Sequence, residues 1–169
     1  IDPDELRAEF PGYTGGNAWL FQKGVSLLVE RILDHAYKNG QSFLLDGTLA
    51  SHDAALKNIQ RSLDRGRAVL IIYVYQEPQH AWGFVQAREE QEGRRIEPET
   101  FIEQYFAARD VVNRLKAEFG KSIKVDLLLK NVDGGHKTYF ANVERVDTHI
   151  PEKYDRASLM ALLGLSDEA

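Results

Sequence analysis

Two carboxylates and a group of arginines carry the chemistry this sequence offers. Ile1-Asp2-Pro3-Asp4 reads as the end of a strand running into a turn, with Asp4 able to cap a short helix over Glu5–Phe10. Leu44-Leu45-Asp46-Gly47-Thr48 reads as an apolar strand that stops at an acid and a glycine. Arg88, Arg94 and Arg95 lie on and after a later helical stretch. A guanidinium grips phosphate oxygens as a fork, and a carboxylate can take the proton of an attacking hydroxyl. These residue types together suit phosphoryl transfer, which needs positioned positive charge, usually magnesium, and an acid beside the nucleophile. Each also has a plainer reading. Asp46-Gly47 makes a tight turn after any strand, and Arg88-Glu89-Glu90-Gln91-Glu92-Gly93-Arg94-Arg95 has the look of a solvated charge run. Glu30, within Leu27-Leu28-Val29-Glu30-Arg31-Ile32-Leu33, fits either a cleft or the wet face of its helix; the periodicity slightly favours the wet face.

Alternating elements must position these groups. Apolar residues at helical spacing run from Asn17 to about Asn39, where Gly40 ends the helix. Ser42–Asp46 is expected as a buried strand, Asp53–Asp64 as a helix and Ala68–Tyr75 as the strongest strand. Helices follow over Pro78–Glu89 and Pro98–Phe119, then strands over Ile123–Leu129 and within Lys137–Val146, after a turn at Asp133-Gly134-Gly135. A helix over Pro151–Leu163, with a broken polar start, closes the chain. The alternation predicts an α/β fold: a mainly parallel sheet with helices on both faces, its ligands at the C-terminal strand ends. The 169 residues suffice for one ordinary core, and nothing in them reads as a linker, so one domain is expected over 1–169.

Composition narrows the function classes. The net charge of −5 argues against a nucleic-acid partner, though a few arginines in a cleft can still hold a small anion. No apolar run is long enough to span a membrane, so no membrane partner is expected. Cysteine is absent, which fits a reducing compartment, and a cytoplasmic location is expected. The five histidines are scattered, with no pair at metal-binding spacing; no metal site of the chain's own is expected. Trp19 and Trp82 read as core or rim packing.

The order of the pieces resembles the zeta-toxin family of P-loop kinases. Ile1-Asp2-Pro3-Asp4-Glu5-Leu6-Arg7 with Phe10-Pro11-Gly12-Tyr13 is similar to the segment after that family's first helix. Leu44-Leu45-Asp46-Gly47-Thr48 is similar to its second strand motif. Tyr73-Val74-Tyr75, Ala81-Trp82, Arg88 and Gly93-Arg94-Arg95-Ile96-Glu97-Pro98 resemble the strand, helix and arginine lid that come next. The likeness covers roughly 1–131; residues 132–169 form a C-terminal extension. It implies a kinase that moves the terminal phosphate of ATP or GTP, with Mg2+, onto a sugar hydroxyl of UDP-N-acetylglucosamine. It also implies a small antitoxin as partner. By the same resemblance Asp4 is the general base, and Glu30, Asp46 and Thr48 contact the amino-sugar substrate. Arg88 and Arg95 clamp the nucleotide phosphates, with Arg94 the alternative if the loop shifts by one residue. Where some relatives carry an arginine two residues after Thr48, this chain has Ala50.

One part of the resemblance is missing. The GxxxxGK[ST] loop that cradles phosphates belongs upstream of Asp4, and no such pattern occurs. Gly120-Lys121-Ser122 comes closest, but it precedes a strand instead of following one. The chain starts at Ile1, so two readings stay open: a fragment of a longer kinase, or a protein that keeps a sugar-nucleotide cleft without the loop. Either reading predicts a poor kinase. A missing first strand would also leave a sheet edge bare, which predicts self-association or marginal stability.

Overall fold

Proline places the first helix. The structure, a computed structural model, describes residues 1–130 and 137–165, so the turn expected at Asp133-Gly134-Gly135 lies outside the described residues. Helix α1 spans Pro3–Ala8, with Pro3 in the first turn, where its missing N–H costs nothing. Asp2 caps it, Oδ1 accepting from the Asp4 N–H at 2.8 Å. The helix therefore starts earlier than expected, and the capping acid is Asp2, which leaves the Asp4 carboxylate for other work. The remaining elements are α2 (Ala18–Lys38), α3 (His52–Leu63), β1 (Leu70–Gln76), α4 (Pro78–Glu92), α5 (Pro98–Phe119), β2 (Lys124–Lys130), β3 (Lys137–Phe140) and α6 (Arg156–Leu162). In α6 a capping box between Asp155 and Ser158 sets the start, so the expected polar lead-in from Pro151 is not helical.

The chain divides into two compact units, Ile1–Thr48 with Val85–Ile96, and Leu49–Phe84 with Glu97–Ala169. In the first, α1 packs on α2. The Phe10 and Phe21 rings lie 5.7 Å apart and those of Tyr13 and Phe21 5.9 Å apart. A Cβ on Gly24 would stand 3.0 Å from the Phe10 ring, so glycine lets the two helices approach without moving that ring. Val25, Leu33, Ala36 and Tyr37 form the buried stripe of α2.

Ser42–Asp46 is not the expected buried strand. Leu44 is 71% exposed, and Asp46 is exposed as well. What remains of a ladder is one parallel pairing: the Ile1 nitrogen donates to the Leu44 carbonyl at 2.7 Å, and the Asp46 N–H donates to the Ile1 carbonyl at 3.0 Å. A single residue offers the segment too few partners to make it a strand, whatever its apolar content. The two acid-bearing segments are thus neighbours.

The second unit holds the sheet, in the order β1-β2-β3. β1 and β2 run parallel, Leu70 opposite Lys124 through Gln76 opposite Lys130, because two helices separate them in sequence. β2 and β3 run antiparallel, since six residues are too few for a crossover. The α/β class holds, and the sheet is mixed instead of mainly parallel. One face carries Ile71, Val125 and Leu127 and packs against Ile59 of α3 and Val111, Val112 and Leu115 of α5. The other face keeps Leu70, Ile72, Val74 and Tyr139 about half exposed. Trp82 packs on Phe101 with ring centroids 5.2 Å apart, whereas Trp19 is 75% exposed, outside any core.

Candidate functional site

Asp4 stands on the first turn of α1, and its neighbours arrive from both directions in sequence. Arg7 lies three residues on, on the same helix face. Its Nη1 donates to Asp4 Oδ1 at 2.6 Å and its Nη2 to Gln22 Oε1 of α2 at 3.1 Å. Arg88, near the end of α4, donates from Nη2 to Asp4 Oδ2 at 3.3 Å and lies 3.5 Å from Glu92. Arg94 donates from Nη1 to the same Oδ2. One carboxylate therefore carries three guanidinium groups.

Backbone geometry brings the late segment to the early one. Gly93 closes α4 with φ 68°, its N–H donating to the Glu89 carbonyl at 2.9 Å, and this left-handed residue turns the chain so that Arg94 faces back. The loop over Gly12–Gly16 lies directly against that turn. Gly15 has φ 80°, and a Cβ there would fall 1.9 Å from the Glu92 carbonyl oxygen. Only glycine permits so close a backbone contact. Asn17 braces the loop, its Oδ1 accepting from the Thr14 N–H at 2.9 Å and its Nδ2 donating to the Gly12 carbonyl at 2.8 Å.

Burial alone would raise the Asp4 carboxyl. Hydrogen bonds from Arg7 and Arg94, together with their charges, outweigh it and hold Asp4 below the ordinary carboxylate range. The arginines differ in their surroundings. The Arg7 side chain is 5% exposed, Arg94 20% and Arg88 47%. Arg7 is thus fixed inside the unit, while Arg88 and Arg94 reach Asp4 from the solvent side.

Among the residues expected to act, Asp4, Arg88 and Arg94 come together. Arg95, expected ahead of Arg94, points to Glu89 at 4.0 Å and is largely exposed. Glu30 stands half-buried in the middle of α2. Asp46 and Thr48 are exposed on the extended segment after α2. A hollow of about 500 Å³ in the same unit is lined by Ile32, His35, Gln41 and Phe43 among others, and by none of the expected site residues. Sequence reasoning gave Arg7 and Gln22 no role. The signal for Arg7 was the Asp–Arg spacing of three on a helix; nothing in the sequence marks Gln22.

The arginine fork suits phosphate oxygens. For a metal ion the residues fit less well. The described residues contain no group of three His, Cys, Asp or Glu able to hold one, and both Asp4 oxygens are engaged by arginines. The cluster is one carboxylate held by a buried guanidinium and two more exposed ones.

Residues 1–144 match the family model described as Zeta toxin. No curated protein and no solved structure matches the chain. Among the described residues no helix is long and apolar enough to cross a membrane.

Proposed function

Because the chain belongs to the zeta toxin family, whose members are P-loop kinase-like phosphotransferases, we propose that it transfers the terminal phosphate of ATP or GTP to a sugar hydroxyl of UDP-N-acetylglucosamine. The observation that carries this reading is the meeting of Asp4 with Arg88 and Arg94. These are an acid and two phosphate-type cations from segments far apart in sequence, held together by a loop that only glycine allows.

The roles proposed for Asp4, Arg88 and Arg94 build on that meeting, and those of Glu30, Asp46, Thr48 and Arg95 on the family resemblance. Arg88 and Arg94 leave Asp4 Oδ2 for the phosphates of the nucleotide, and Arg95 supports them from the exposed side. The vacated oxygen then accepts the proton of the sugar hydroxyl as its oxygen bonds to the terminal phosphorus. The bond from phosphorus to the bridging oxygen breaks, and the nucleoside diphosphate leaves with that electron pair. Glu30, Asp46 and Thr48 contact the sugar nucleotide. Magnesium, which family members generally use with their nucleotide, supplies neutralisation of phosphate charge. The sequence has no GxxxxGK[ST] lysine and hydroxyl to share that task, so we expect residues 1–169 by themselves to transfer phosphate poorly. A cytoplasmic location and an antitoxin partner complete the proposal, in keeping with the antitoxin partners associated with the family.

The test is transfer of labelled phosphate from ATP to UDP-N-acetylglucosamine by the chain with a phosphate-loop segment restored upstream. Asp4→Asn should lower kcat by roughly 10²–10⁴-fold with KM little changed. Equal rates would remove Asp4 as base. Transfer to another small alcohol in a substrate panel, with none to the sugar nucleotide, would replace the acceptor. A second reading is favoured by the engagement of both Asp4 oxygens: a non-catalytic module that binds the sugar nucleotide or an antitoxin. Calorimetry showing UDP-N-acetylglucosamine bound and ATP not bound would select it.

Self-association is also expected, through β1. Among the described residues its outer edge has no partner in the sheet, and Leu70, Ile72 and Val74 leave apolar surface beside it. Light scattering should show dimers or larger species at micromolar concentration; a monodisperse monomer contradicts this.

A further inference from the structure

We infer that Arg7, anchored by Gln22, is the positioning residue for Asp4: it fixes Oδ1 so that Oδ2 is the oxygen offered first to the outer arginines and then to the reacting hydroxyl. This rests on the reading of Asp4 as general base and adds a residue to it.

A carboxylate on a short side chain turns easily, because the rotation that exchanges its two oxygens is broad. A base must nevertheless present one oxygen in one direction. Arg7 supplies that choice. Its guanidinium spans from Asp4 Oδ1 at 2.6 Å to Gln22 Oε1 at 3.1 Å, so its plane is set by two helices at once. Packing keeps those helices in register. Phe10 lies on Gly24 and against Phe21, which stand on either side of Gln22 in the sequence of α2.

Burial makes the contact permanent. Arg7 is 4% exposed, it cannot lose its proton, and its ion-pair partner is Asp4. Breaking that pair would strand a cation inside the protein. Arg88 and Arg94 face a smaller penalty, being more exposed. The two oxygens therefore have two kinds of partner, one fixed and one exchangeable. Arg7 holds this geometry although its buried Nε has no hydrogen-bond partner among the described residues. The other charges around the carboxylate are Asp2, which caps the same helix turn, and Glu92, which faces Arg88.

The experiment follows the Asp4 carboxyl carbon in ¹³C-aspartate-labelled full chain through an acid titration, with Asp4→Asn identifying the signal. Wild type should titrate below the ordinary carboxylate range. Gln22→Met removes the anchor at an exposed position and should fold normally; its Asp4 midpoint should rise by about half a pH unit. Arg7→Lys keeps the charge but loses the fork and should raise the midpoint more. In the transfer assay Gln22→Met should lower kcat roughly tenfold with the nucleotide KM unchanged. If Arg7→Lys does not fold, Gln22→Met decides. Unchanged midpoint and unchanged kcat in folded Gln22→Met overturn the inference. Shifted midpoints with no transfer by any form keep Arg7 as the residue that orients Asp4 and remove the phosphotransfer reading instead.

Discussion

The two units spend their residues differently. The second is organised around an apolar centre, with Val112, Leu115, Leu127 and Val146 fully buried. Its polar groups are committed to one another: Tyr75 donates to Glu152 at 2.8 Å, Asn113 to Asp147 at 2.6 Å, and Arg109 pairs with Asp147 at 3.4 Å. The first unit buries little beyond one stripe of α2, and its central feature is a charged cluster. Every residue expected to act lies in this first unit. On the proposed reading, stability and chemistry fall to different parts of the chain, and perturbations should separate them.

The largest separation should come from the core. Leu115→Ala in the second unit should cost about 2–5 kcal/mol in chemical denaturation, because a fully buried side chain leaves a cavity. The same change should leave the Asp4 carboxyl titration unaltered while the protein remains folded. Gly15→Ala should do the converse. A left-handed backbone and a Cβ placed on the Glu92 carbonyl force the loop away from α4, at about 3 kcal/mol. Arg94 should then lose Asp4, seen as a rise in the Asp4 midpoint. An unchanged midpoint would mean that the loop does not hold the cluster.

Much of this was legible in the sequence. The helical spacing read in α2 and α4 and the proline opening α5 placed those helices to within a few residues, and the apolar runs placed β1 and β2. Ser42–Asp46 misled because apolar content marks a wish for burial, while a strand also needs a run of ladder partners, and the backbone bonds of the described residues show a single pairing, with Ile1. Neighbouring Arg94 and Arg95 carry identical side chains; the left-handed turn at Gly93, a backbone property, decides that Arg94 faces Asp4. Arg7 escaped notice because an arginine near an aspartate normally reads as a solvated pair, and its burial depends on the packing of α1 against α2.

A smaller contrast lies in pH. In the second unit burial pushes the Tyr73 hydroxyl up to about 12. A folded value above the unfolded one means the stabilisation is full below about pH 10 and lost as pH rises toward 12, roughly 2–3 kcal/mol in the limit. Alkaline melts of Tyr73→Phe should be flatter over that range. In the first unit the sign reverses. Asp4 is lowered, so its contribution is present above the ordinary carboxylate value and lost as pH falls through the folded one. The effect on overall stability should be the smallest of these, because Asp4 is partly exposed. Acid melts of wild type and Asp4→Asn should converge at low pH.

The claim that joins these observations is that Arg88 and Arg94 surrender Asp4 to bind phosphate while Arg7 stays. Titrating inorganic tripolyphosphate into the ¹³C-aspartate-labelled chain tests it directly. The Asp4 carboxyl midpoint should rise as the anion saturates, and Arg88→Gln with Arg94→Gln should start from the raised value and no longer respond. An Asp4 signal indifferent to saturating tripolyphosphate in the wild-type protein would contradict the exchange and, with it, the account of the site.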